Sequence, residues 1–262
     1  MSNTKDTDKI KELKEMYANT SKHSNYQILP AALESFITDE DINVVTRNEK
    51  ARLKYFLENV EISNKKVLDI GGNTGYFTFE FLKHGASILE YYEGNEEHAQ
   101  FVKLAAEVLG YEDNLIAYNE YYNFDKEDHY DIILLLNVLH HLGDDFGDNQ
   151  LSKEQVLELI IRHLKKVAKQ TDVLIFQLGF NWKGNIDLPL FDNGIKQEMI
   201  DYILRNLRAE YEFIKIGVAE KAVNTVIYND LNNKNIERDD SLGEFLNRPI
   251  FIMKSKKNAS NK

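Results

Sequence analysis

Residues 67–75, Val-Leu-Asp-Ile-Gly-Gly-Asn-Thr-Gly, restrict this chain more than any other stretch. Val67 to Ile70 read as a short buried strand behind the charged pair Lys65 and Lys66. A glycine-rich turn follows. After it comes an apolar, aromatic run (Tyr76, Phe77, Phe79, Phe81, Leu82) that suits a helix packed on a sheet. Strand, tight turn and helix open a nucleotide-binding βαβ unit, where glycine lets the backbone reverse sharply and approach a ligand. Such a turn is expected to leave free backbone N–H groups at the helix N-terminus, facing that ligand.

Two versions of the unit differ in spacing and charge. The dinucleotide fingerprint G-x-G-x-x-G cradles a pyrophosphate. Here Gly71, Gly72, Asn73 and Gly75 crowd into five positions, and Asp69 stands at the strand end. A carboxylate beside the turn repels a pyrophosphate and suits an ammonium or sulfonium ligand. An NAD-type oxidoreductase is disfavoured on this spacing. Asn73 takes a middle position where glycine is usual, and asparagine tolerates the left-handed backbone.

Val67–Gly75 resembles motif I of the class I S-adenosylmethionine-dependent methyltransferases, usually written hhDhGxGxG. Other positions fit the same register. Ser87–Tyr92 reads as a second strand ending in Glu93, Gly94 and Asn95. An acidic residue there accepts hydrogen bonds from a ribose diol, whereas Glu90, Glu96 and Glu97 read as surface glutamates. Asn114–Tyr118 reads as a third strand, followed by Asn119 and Glu120 where the family places a polar pair against adenine. Ile132–Leu136 is an unbroken apolar run, as in a parallel strand covered on both faces. It ends at Asn137, and the following Val138-Leu139-His140-His141-Leu142 resembles small-molecule members of the family.

The resemblance implies an α/β, Rossmann-like, doubly wound and mostly parallel seven-stranded sheet with an N-terminal helical lid. It implies S-adenosylmethionine as cofactor, leaving as S-adenosylhomocysteine. Asp69, Gly71, Gly72, Asn73, Gly75, Glu93, Gly94, Asn119, Glu120, Asn137 and Val138 would line the cofactor, with Arg47 or Lys22 on its methionine carboxylate. His141 is the first choice of general base and His140 the second, because a neutral imidazole takes a proton near neutral pH. The competing reading of His141 is a cap on the turn at Asp144 and Asp145. Tyr26, His23, Asn181 and Trp182 would frame the acceptor. Asparagine, lysine and aromatic faces in the 180–185 loop suit a sugar, and a core-tucked loop is the alternative.

The Asn/Asp-Pro-Pro-Tyr/Phe turn of nucleobase and glutamine methyltransferases is missing after the fourth strand, which favours a hydroxyl acceptor. Adjacent histidines do not normally share one ion and the chain has no cysteine, so no metal is expected. The net charge of −11 argues against a nucleic-acid partner. A polar N-terminus without a signal-peptide pattern and short apolar runs give the expectation of a cytoplasmic protein with no membrane partner. The expected organisation is a helical extension over 1–62, a catalytic domain over 63–254 with insertions near 179–195 and 220–248, and a disordered tail over 255–262. Oligomeric state is not read from the sequence. The rival readings are a non-catalytic methyltransferase-like partner subunit, or an amine or RNA acceptor.

Overall fold

The computed structural model describes residues 2–18, 27–37 and 46–256. The chain forms two compact units, Met1–Leu53 with Glu61–Tyr122, and Lys54–Val60 with Asn123–Lys262. In the first unit, α1 (Ser2–Ala18) and α2 (Glu49–Asn59), which runs on into the second unit, precede a βαβαβ series. That series is β1 (Lys66–Ile70), α3 (Tyr76–Lys83), β2 (Ile88–Tyr92), α4 (Glu96–Leu109) and β3 (Leu115–Tyr118). The three strands are parallel and ordered β3-β2-β1. Val67 and Leu68 are fully buried, and α3 is apolar nearly all round, so Tyr76, Phe77, Phe79, Phe81 and Leu82 all enter the core.

Helix α4 has the ends its sequence dictates. Asn95 accepts from the His98 N–H at the N-terminus, and Gly110 closes the C-terminus at φ 72°. Helix α1 packs on α4 through Leu13 and Tyr17, with the Tyr17 and Phe101 rings 5.6 Å apart. A Lys9–Glu107 ion pair at 2.7 Å lies on the outside of that packing.

The second unit holds β4 (Tyr130–Leu136), α5 (Lys153–Gln170), β5 (Thr171–Gln177) and α6 (Lys196–Leu207). It ends with β6 (Tyr211–Ala222), β7 (Thr225–Asp230), α7 (Gly243–Leu246) and β8 (Ile250–Ser255). Its strands are ordered β4-β5-β8-β6-β7. β4 and β5 are parallel, while β8 and β7 run opposite to β4, β5 and β6. Ser152 and Gln155 form a reciprocal capping box that starts α5.

The mostly parallel, Rossmann-like α/β arrangement expected from the sequence is the one observed. The strand number differs: eight strands are present among the described residues, because Thr225–Asp230 pairs as a hairpin arm on a twelve-residue β6. β8 reaches Ser255, one residue beyond the expected domain edge, and 257–262 lie outside the described residues.

Tyr55 braces the hairpin from within the second unit. Its hydroxyl donates to Asp230 at 2.9 Å, and its ring lies against Gly217, where a Cβ would come within 2.4 Å of it. Gly217→Ala overpacks this contact and is expected to lower stability by about 1–3 kcal/mol in urea unfolding.

Candidate active site

In the first unit the turn is built around Asn73, which adopts φ 53° between Gly71 at 68° and Gly75 at 78°. Two residues of β2 hold its peptide groups. The Asn73 N–H donates to Glu93 Oε2 at 2.9 Å, and the Tyr91 hydroxyl donates to the Asn73 carbonyl. Glu93 Oε1 accepts the Asn95 N–H at 2.9 Å, so one carboxylate ties the turn to the start of α4. Gly72 is required by close approach: a Cβ there would lie 2.5 Å from the Tyr91 ring and 2.8 Å from Asp69 Oδ2.

Asp69 is buried behind this turn and accepts the Thr78 hydroxyl at 2.7 Å. Burial, and then the Glu93 charge, push its carboxyl up to about 7, against the opposing Thr78 hydrogen bond. Asp69 therefore shapes the turn from inside and is a weaker fixed charge than the sequence argument assumed.

The expectation of free N–H groups facing a ligand is overturned. Asn73 N–H goes to Glu93, Thr74 N–H to the Asn73 side chain at 2.9 Å, and Gly75 N–H to the Gly72 carbonyl at 3.0 Å. Tyr76 N–H goes to Gln27 Oε1 at 3.2 Å, and the Thr74 hydroxyl donates to the same oxygen at 3.4 Å. Gln27, 49 positions away, gave no local signal. The turn offers a ligand acceptor capacity instead. A carboxylate oxygen can accept more than one hydrogen bond, so Glu93 fits the diol of an adenosyl ribose.

Asn119 donates to the Glu93 carbonyl at 3.2 Å, Glu120 is exposed, and Gly94 lies under the Tyr121 ring. Arg47 sits at the entry to α2, where its backbone N–H is held by the Glu49 carboxylate at 3.0 Å. Lys22, His23 and Tyr26 lie outside the described residues.

In the second unit Asn137 follows β4 at φ 61°, then half-buried Val138 starts a short 3-10 turn, Leu139–His141. The two histidines separate in role. His140 is buried, and its Nδ1 accepts the Gly179 N–H at 3.4 Å, which puts the ring proton on Nε2 and leaves no lone pair for a base. Burial, Arg248 and His141 hold it neutral, well below the ordinary histidine range. His140 as second-choice base is thus corrected: it is a packing residue.

His141 is half-buried, with Nδ1 3.2 Å from Asp145 Oδ2. Asp145 thus lies close enough to pair with the ring when it is protonated. His141, Asp144 and Asp145 bring three donor atoms within 4.8 Å of one another among the described residues.

The 179–192 loop is fastened to this turn. The Trp182 indole N–H donates to the Leu142 carbonyl at 2.6 Å, and the Lys183 ammonium lies 4.6 Å from the Trp182 ring centroid. Asn181 bridges to Pro189. One face of the tryptophan is thus covered by its own neighbour, and its N–H is already engaged. Sequence reasoning missed Gln177 and Arg248, which hold the Asn137 side chain, and Glu244, which holds Arg248. A polar Gln177 ending the apolar β5 was the available signal.

Residues 68–169 match a family model described as a methyltransferase domain. The fold is similar to that of a putative S-adenosylmethionine-dependent methyltransferase from Listeria monocytogenes (14% identity, TM-score 0.51), covering 79% of this chain and 97% of that one. It is also similar to the bifunctional kinase-methyltransferase WbdD (16% identity, TM-score 0.56), covering 92% of this chain and 46% of that one. No curated protein matches the chain. Among the described residues no helix is long and apolar enough to cross a membrane.

Two outcomes follow from the turn. Tyr91→Phe frees the Asn73 carbonyl and is expected to weaken S-adenosylhomocysteine binding about tenfold by calorimetry and to lower stability by about 1–3 kcal/mol. The folded state keeps the Asp69 proton between about pH 4 and 7 while the unfolded chain has lost it, so this group's contribution to stability falls as pH rises through that window. Asp69→Asn should flatten that slope in urea unfolding followed across pH. The matched domain, on this turn, makes the chain an enzyme of the methyltransferase kind with S-adenosylmethionine as its cofactor.

Proposed function

We propose that the chain is an O-methyltransferase acting on a hydroxyl of a small polar acceptor, with His141 as general base. The observation that carries this is the His141–Asp145 pair at 3.2 Å, a carboxylate beside a half-buried imidazole in the turn after β4. An alcohol is a weak nucleophile until its proton leaves. His141 would take that proton as the acceptor oxygen bonds to the methyl carbon, which a bound cofactor would give up as it leaves as the neutral thioether. The cofactor supplies the electrophilic sulfonium methyl.

Glu93 is the residue assigned to the ribose diol, with the Asn73 turn beside it. A sugar or nucleotide-linked sugar is the acceptor class proposed, from the Asn181 and Trp182 chemistry of the loop after β5. The net charge of −11 supports a small acceptor over a nucleic acid. We also read the N-terminal extension as a lid, supported by Gln27 reaching the N-terminus of α3.

The test is methyl transfer from labelled S-adenosylmethionine to a panel of hydroxylated acceptors. His141→Ala should lower kcat by about 100-fold or more, and wild-type kcat should rise with pH as the base loses its proton. Turnover by His141→Ala within threefold of wild type would remove the base assignment. Transfer only to amines would remove the O-methylation reading.

A further inference from the structure

We infer that Arg248 is a positioning residue for the histidine turn, acting through Asn137; the inference rests on the reading of His141 as base. The segment before β8 looked like an insertion in the sequence, yet it delivers a guanidinium to the end of β4. Arg248 Nη1 donates to Asn137 Oδ1 at 2.8 Å. Asn137 Nδ2 donates to Gln177 Oε1 at 2.8 Å, and Gln177 Nε2 donates back to the Arg248 carbonyl at 2.9 Å. The three residues close a ring of hydrogen bonds around fully buried Gln177.

A second anchor holds the guanidinium from the other side. Arg248 Nε donates to Glu244 Oε1 at 2.9 Å and Nη2 to Glu244 Oε2 at 2.5 Å. Glu244 Oε1 also accepts the Phe180 N–H at 3.2 Å, so the pair joins the loop after β5 as well. Serving Asn137 and both Glu244 oxygens at once takes a planar fork with three aimed donors, which a lysine ammonium cannot match.

The consequence reaches the histidines through the backbone. Asn137 holds the left-handed φ of 61° that redirects the chain into the 3-10 turn, and its side chain has no slack in this ring. Three residues on, the His140 ring packs against Gly179, where a Cβ would lie 2.6 Å from it. It also lies against His141, at 4.3 Å between centroids. The Arg248 charge is among the causes that keep His140 neutral, so a second imidazolium does not form beside the base. Displacing the guanidinium should move both rings while leaving the Asn73 turn, in the other unit, as it is.

The experiment compares full-length wild type, Arg248→Lys and Glu244→Gln by nitrogen-detected imidazole NMR and by titration with S-adenosylhomocysteine. Only seven histidines contribute signals, and single His140→Gln and His141→Gln variants assign the two. Arg248→Lys is expected to shift both ring signals while cofactor affinity stays within threefold. With an acceptor in hand, kcat should fall at least tenfold at unchanged cofactor KM. Glu244→Gln, which leaves the guanidinium on Asn137 but loosens its rear anchor, should shift the same signals less, and it serves if the lysine variant does not fold. Unmoved His140 and His141 signals in a folded variant with intact cofactor affinity would overturn the proposal. Failure of the base reading shows separately, as full turnover by His141→Ala.

Discussion

The Glu93 carboxylate is the contact on which the first unit's functional end depends. It takes one N–H from the turn after β1 and one from the start of α4, so two loops share a single side chain. Tyr91, two residues earlier on the same strand, takes the other peptide group of Asn73. A left-handed asparagine costs more than glycine in that conformation, and these bonds offset the cost. The same carboxylate keeps acceptor capacity for a diol, which links the turn's stability to its use.

The second unit repeats the device with different chemistry. Asn137 ends β4 in the same left-handed region, and the neighbouring strand again supplies the grip, here through Gln177, which pairs with Leu136. In the first unit the neighbour is β2, where Tyr91 pairs with Asp69. Each strand end is therefore turned by an asparagine and locked by a polar residue one strand over. Chain reversals at parallel strand ends are where ligands bind in open α/β sheets, so rigid reversals there fix the positions of ligand-facing groups.

Much of the fold was legible because buried strands and amphipathic helices write their period into the chain. Val67–Ile70 marked β1, Ser87–Tyr92 marked β2 and Ile132–Leu136 marked β4. The hairpin was harder. Ile214 in β6 and Ile227 in β7 are exposed, so these strands lack clean in–out alternation. Within the candidate site, the local motif and Glu93 could be read from spacing. The partners that close the turns could not: Gln27 arrives from 49 positions away and Arg248 from 111. Nor does a sequence reveal that His140 points into packing while His141 meets Asp145, since the two differ only in direction.

Calorimetric titration of S-adenosylhomocysteine into wild type and Glu93→Ala tests the central claim most directly. Micromolar binding to wild type (about −8 kcal/mol) that weakens at least tenfold in the folded variant is the predicted result. No binding by folded wild type, or equal binding by Glu93→Ala, would contradict it.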